Sequence, residues 1–216
     1  MELTAIALWL NTAFAGFDEA IAVGVHSLYT GAGWLFTPLL TFISILGDGG
    51  ACLIVFSACL IPFKKYRKLG TAMLLGLGIG ALLTNLWLKP AVFRPRPYTW
   101  DGSVFQQIWI TMGQHMESDF SFPSGHTTAA MAASTGCFLA GKRKISWTAF
   151  FFAIVMGISR IYLGVHYASD VLGGFFAGGI GGVVGYVITI YLPQKYYDFN
   201  TPKQLCFKRK KGKHER

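Results

Sequence analysis

The chain has 216 residues, 53% of them hydrophobic and 13% charged, with a net charge of +9. Soluble domains carry about 25% charged residues, so the composition excludes an ordinary soluble domain and fits a one-domain integral membrane protein. The positive charge sits in separate clusters between apolar runs, which argues against nucleic acid as a partner and for a membrane.

The first seventeen residues contain no Lys or Arg, so no basic n-region of a secretory signal peptide is visible. Residues 4–15 are apolar but too short to span. Residues 18–46 hold Asp18, Glu19, His26 and Gly31 before the apolar run Trp34 to Leu46, and Gly47-Asp48-Gly49-Gly50 then breaks the pattern. This predicts an amphipathic interfacial helix followed by a short membrane helix. Five more helices follow, at about Gly50–Phe63, Leu69–Lys89, His126–Ala140, Trp147–Leu163 and Ser169–Leu192. Several fall short of the ~20 residues of an ideal span, which implies tilt or local thinning. The expected fold is an all-α polytopic bundle of about six helices. It divides into an N-terminal interfacial segment (1–32), a membrane domain (33–194) and a basic tail (195–216).

Basic residues mark the topology. Lys64, Lys65, Arg67 and Lys68 form one cluster, Lys142, Arg143 and Lys144 a second, and the tail a third. The remaining four are Lys89, Arg94, Arg96 and Arg160. Tracing the helices back and forth puts all three clusters on one side and those four residues on the other. Basic loops stay in the cytoplasm, so the second group should meet at the outer face of the plasma membrane. The polar loop from Tyr98 to Phe122, with Trp100, Asp101, Trp109, His115, Glu117 and Asp119, is expected on that side as a lid, a lipid contact or a solvated connector.

Gly174, Gly178 and Gly182 recur at spacing four in the last helix. Small residues at that spacing let helices approach closely. Packing within the bundle is the favoured use, and a homodimer face the alternative. Cys52, Cys59, Cys137 and Cys206 show neither disulfide nor metal-site spacing. With His26, His115 and His214 scattered, no metal site or cofactor is expected.

Three segments carry chemistry. Lys89 precedes Pro90, and a residue before proline avoids the α region, so the helix should end there. Pro90, Pro95 and Pro97 then stiffen an extended strap that aims Lys89 and Arg96 at one site. Arg gives phosphate a bidentate fork and Lys a point charge. Arg94 would contact lipid headgroups or stabilise the strap. In Pro123-Ser124-Gly125-His126, Ser124 suits a helix N-cap. Gly125 lets a phosphate approach the free N–H groups of the first turn, and His126 stands beside it. Arg160 ends an apolar helix and needs a polar cavity or a partner. His166 and Asp170, four apart, would share a face if the last helix begins near His166. The carboxylate would then fix one ring nitrogen and free the other to attack. For an isolated pair of this kind a structural contact is the better reading.

Together the segments resemble the tripartite signature of the type 2 phosphatidic acid phosphatase superfamily: Lys, six residues, Arg-Pro (Lys89 to Arg96-Pro97); Pro-Ser-Gly-His (123–126); and Ser-Arg, five residues, His, three residues, Asp (Ser159-Arg160, His166, Asp170). The resemblance covers roughly residues 45–192, and no signature position departs from it. It implies a metal-independent lipid phosphatase with His166 as the nucleophile that forms a phosphohistidine and Asp170 orienting it. His126 would be general acid and then base, with Lys89, Arg96, Ser124, Gly125 and Arg160 binding the phosphate. The substrate would be a lipid phosphate or diphosphate, with undecaprenyl diphosphate leading and phosphatidylglycerophosphate or phosphatidic acid behind it. Transfer to a second lipid is another fate of the same intermediate. A transporter or scaffold with a degenerate site is disfavoured by the intact signature and by the absence of visible paired repeats.

Overall fold

The computed structural model of the chain describes residues 3–197, and its regular structure there is helical throughout. The expected basic tail, with Cys206 and His214, lies outside the described residues from 198 on. Eight helices reach eight residues or more: α1 Ala5–Ala13, α2 Ala15–Leu46, α3 Ala51–Leu60, α4 Arg67–Leu82, α5 Val104–Thr111, α6 Gly125–Ala140, α7 Thr148–Tyr162 and α8 Ala168–Tyr191. About six were expected. The two additional ones are α1, which was anticipated as interfacial, and α5, which folds inside the polar loop.

The membrane helix expected over Trp34–Leu46 is present: α2 is two helical stretches joined at a kink at Ala32 (φ −153°, ψ 49°), and the second covers those residues. In the first stretch the charge of Asp18 is met internally: Oδ1 accepts from Ser169 N–H at 2.7 Å and Oδ2 from Arg94 at 3.0 Å. One expectation is corrected, because the helix leading to the first signature segment does not end at Lys89. Residues 83–88 widen into a π turn, with Lys89 N–H reaching back to Thr84, and helical geometry runs on to Val92. A proline is tolerated where the ladder is already open, because its missing N–H and bulky ring then break no i→i−4 bond. The helix stops at Phe93, at φ 56°.

The core is a triad of α4, α6 and α8, which pack most extensively against one another. Their backbones touch because the facing residues are small. A Cβ on Gly181 would stand 2.8 Å from Gly80 N, and one on Gly178 would collide with Thr128 O. The glycine stripe is thus spent inside the bundle. α7 leans on α6 and α2, and α3 on α4. Large apolar side chains such as Trp34, Trp87, Phe176 and Tyr191 face outward, a liability in water and the ordinary surface in a bilayer. Four segments, 15–46, 67–99, 143–162 and 168–191, are long and apolar enough to cross a membrane. The protein is a multi-pass membrane protein.

α4 and α6 each carry a signature segment at one end and a basic cluster at the other. Arg67 opens α4 and donates to Ile61 O (2.8 Å) and Tyr196 O (3.0 Å). Lys65, Lys68 and Lys142 line one cavity of ≈ 730 Å³ at that end. The signature residues meet at the opposite end.

Candidate active site

A cavity of ≈ 280 Å³ is lined by Lys89, Arg96, Gly125, His126 and His166, together with Asp48, Glu117 and Asp119. The lining comes from the end of α4, the strap behind it, the first turn of α6 and the α7–α8 turn, so residues 77 positions apart in the chain share one space. Each is held by local structure. Ser124 caps α6, its Oγ accepting from Thr127 N–H at 3.4 Å and its own N–H donating to Asp170 O at 3.1 Å. That cap sets Gly125 and His126 at the helix mouth. His126 packs on the bare α-carbon of Gly47, where a Cβ would stand 2.9 Å from its Cδ2. Gly49 and Gly50, at φ 56° and 68°, make the left-handed turn that brings Asp48 to the rim.

His166 is buried just before α8, which starts at Ala168, beside the expected Ser169. The His–Asp pair still meets, with Nδ1 3.4 Å from Asp170 Oδ2. Arg96 Nη1 lies 2.9 Å from Nε2. The same Nη1 lies 3.4 Å from Nδ1; arginine has no acceptor, and its shorter contact assigns the Nε2 lone pair as the acceptor and the ring proton to Nδ1, toward Asp170. Burial first, then the charges of Arg96, Arg160 and Lys89, push the imidazole pKa well below its usual 6.5. The ring is neutral at physiological pH.

The cations are not bare. Asp119 forms ion pairs with both Lys89 and Arg96, and Glu117 with Arg160. Arg96 also donates to Val165 O and Asp119 O. Burial alone would raise the Asp119 pKa, but Lys89 and Arg96 outweigh it and hold the carboxyl below its usual value. The two acidic side chains remain open, at 45% exposure for Asp119 and 28% for Glu117.

Behind the cavity lies a second network that the sequence reading did not anticipate. Arg94 is 1% exposed. It donates to Asn11 (2.8 Å), Ser169 (2.7 Å), Asp170 Oδ1 (2.6 Å) and Asp18 (3.0 Å), and its guanidinium lies 3.8 Å over the Tyr167 ring. It stabilises the strap and touches no lipid surface. Asp170 Oδ2 also accepts from Ser121 Oγ (2.5 Å) and Tyr167 N–H (2.9 Å), so this carboxylate is bonded more closely to the scaffold than to His166.

Of the eight site residues expected from sequence, Lys89, Arg96, Gly125, His126 and His166 face the cavity. Arg160 stands behind Glu117, Asp170 behind His166, and Ser124 is buried in its capping role. Asp18 and Arg94 were missed as partners. The available signal was an ionisable residue inside an apolar helix, which ordinarily has a named counter-charge. Among the described residues no three His, Cys, Asp or Glu side chains group as metal ligands.

The PAP2 superfamily model matches residues 66–195. The chain is 40% identical over 96 residues to undecaprenyl-diphosphatase BcrC of Bacillus subtilis, a match covering 44% of this chain and 46% of that protein. It is 38% identical over 158 residues to phosphatidylglycerophosphatase B of the same organism, covering 67% and 70%. It thus spans about half the length of the first relative and more of the second. Among solved structures, a transmembrane PAP2-type phosphatidylglycerolphosphate phosphatase from Bacillus subtilis aligns with TM-score 0.66 and 30% identity, covering 88% of this chain and 92% of that one. LpxE of Aquifex aeolicus aligns with TM-score 0.58 and 28% identity, covering 70% and 85%. With its signature residues gathered at one end of a helical membrane bundle, the chain belongs to the PAP2 superfamily.

Proposed function

We propose that the protein hydrolyses the phosphate end of a lipid, foremost undecaprenyl diphosphate, at the extracytoplasmic face of the plasma membrane. The observation that carries this reading is the placement of His166, buried with Nδ1 toward Asp170 and Nε2 toward Arg96 in a cavity lined by Lys89, Arg96 and His126. In the first step Nε2 attacks phosphorus, the P–O bond to the leaving group breaks, and His126 protonates the departing oxygen; burial and then the Arg160 charge push its pKa down to about 3 in the empty site, so it takes up that proton as the negative phosphate arrives. In the second, His126 takes a proton from water, the hydroxide displaces Nε2, and phosphate leaves. Asp170 holds Nδ1–H and supports the positive charge the ring gains. Lys89, Arg96, Arg160 and the N–H groups at Gly125 meet the phosphoryl oxygens, with Ser124 setting that turn. Fixed charge at the transferring group supplies most of the rate in such reactions, and three protein cations supply it here without a metal ion.

The side assignment is supported by two basic clusters lying at the end remote from the cavity. Undecaprenyl diphosphate is supported by the names of two relatives. Phosphatidylglycerophosphate is the second reading, supported by the longest of these matches and by a solved structure.

The test is phosphate release by the purified full chain in detergent with EDTA, comparing undecaprenyl diphosphate, phosphatidylglycerophosphate and phosphatidic acid. Undecaprenyl diphosphate should be turned over fastest, and His166→Ala should lose at least about 10⁴-fold while eluting as a folded species. Release from the His166→Ala variant at the wild-type rate would falsify the nucleophile.

A further inference from the structure

All three signature cations named as phosphate ligands are held by carboxylates from one short stretch of chain. Asp119 takes Lys89 and Arg96, and Glu117 takes Arg160. Residues 114–120 have no regular structure, and most are exposed. The stretch is tied down on both sides. Gln114 N–H donates to Trp109 O at 3.1 Å and Trp109 Nε1 to His115 O at 2.7 Å. At the far end Ser121 N–H donates to Arg94 O at 2.9 Å, and its hydroxyl to Asp170. Between these anchors the two carboxylates reach down into the cavity. They leave Arg160 incompletely met, since its buried Nε has no partner among the described residues.

We infer that Glu117 and Asp119 are specificity-determining residues that stand where the substrate's phosphate oxygens go, so that substrate enters by exchange of charge. The inference rests on the reading of this cavity as a phosphate site. Two carboxylates leave the cations and a phosphoryl end carrying about two negative charges replaces them. The three cations face about the same negative charge after the exchange as before. A terminal phosphomonoester or a diphosphate can complete this exchange. A phosphodiester headgroup carries one negative charge and would leave a buried cation unpaired, the kind of mismatch that discriminates most strongly. Bulk phospholipids are diesters and surround the cavity mouth in great excess. The 114–120 stretch therefore excludes the commonest competing headgroups by charge, without reading the lipid tail.

The test uses the full chain in detergent with Asp119→Asn and Glu117→Gln, and Asp119→Glu as the charge-retaining control. Two quantities are measured: binding of inorganic phosphate by calorimetry, and inhibition of turnover by phosphatidylglycerol, a diester. Removing a competitor that occupies the site about 90% of the time tightens phosphate by about tenfold. That gain is expected in both neutral variants and not in Asp119→Glu. Phosphatidylglycerol should inhibit the neutral variants competitively at concentrations that leave the wild type unaffected. Phosphate bound no more tightly by the variants than by the wild type overturns the inference and leaves the phosphate site standing. Phosphate bound by neither overturns both.

Discussion

Two ion-pair networks lie side by side at the same end of this bundle, built from the same groups and suited to opposite tasks. In the inner one, Arg94 is sealed from solvent with Asp18 and Asp170. Both carboxylates also accept backbone N–H bonds, from Ser169 and Tyr167, so no partner can leave without orphaning another. In the outer one, Lys89, Arg96 and Arg160 are buried while Asp119 and Glu117 remain open to solvent on an irregular strap. A buried pair gains little net stability over apolar packing, yet breaking it by removing one member is expensive. An exposed partner is weakly held and exchangeable. Burial of the anion, more than the identity of either charge, separates scaffold from site.

The sharpest way to break this comparison is Arg94→Met. It strands two buried carboxylates and should destabilise the fold by about 3–5 kcal/mol, seen as a lowered melting temperature and poor yield of monodisperse protein. Arg96→Met, in the outer network, should fold close to wild type while losing turnover. A well-folded Arg94→Met that lacks only activity would make the inner cluster part of the substrate site and dissolve the distinction.

Arg160→Gln comes next in size. It removes one charge from the developing phosphoryl transition state, and turnover should fall about 10²–10³-fold with little change in melting temperature. The pH profile sharpens the same point. His166 has a pKa pushed below 6.5 by burial and by three cations, so the acid limb of kcat/KM, which reports the free enzyme, should lie below pH 6.5. Taking away Arg160 relieves part of the push and should move that limb upward. The stability link has the same sign. The unfolded chain takes up the proton first as pH falls through 6.5, so the contribution is complete above 6.5 and declines below it. A limb at or above 6.5 in the wild type would mean that His166 is not held neutral by its surroundings.

The start of α4, both ends of α6, the meeting of signature residues at one cavity and the separation of the two described basic clusters from it were legible in the sequence, because helix periodicity and charge placement are local properties. Asp18 was not. Its partner Ser169 lies 151 residues away, and an aspartate in an amphipathic stretch does not by itself name its counter-charge. Lys89 misled for a related reason. The rule that disfavours helix before proline assumes an intact ladder, and the π turn that opens it at residues 83–88 leaves no mark in composition. Glu117 and Asp119 were visible only as polar loop residues, since a loop's docking depends on anchors such as Ser121, whose partners Arg94 and Asp170 belong to two other segments.

The smallest expected effect is Lys142→Ala, at the far end. Lys142 is exposed and lines the cavity shared with Lys65 and Lys68, with the length of α6 between it and His126. A surface substitution of this kind changes stability by roughly 0.5 kcal/mol or less, and at that remove solvent and counterions screen its charge from the phosphate. Turnover and KM should both stay within about twofold of wild type. If instead kcat fell sharply with KM unchanged, the two ends of α6 would have to be coupled through the glycine-lined contacts of α4 and α8, and the site could no longer be treated as a property of one end of the bundle.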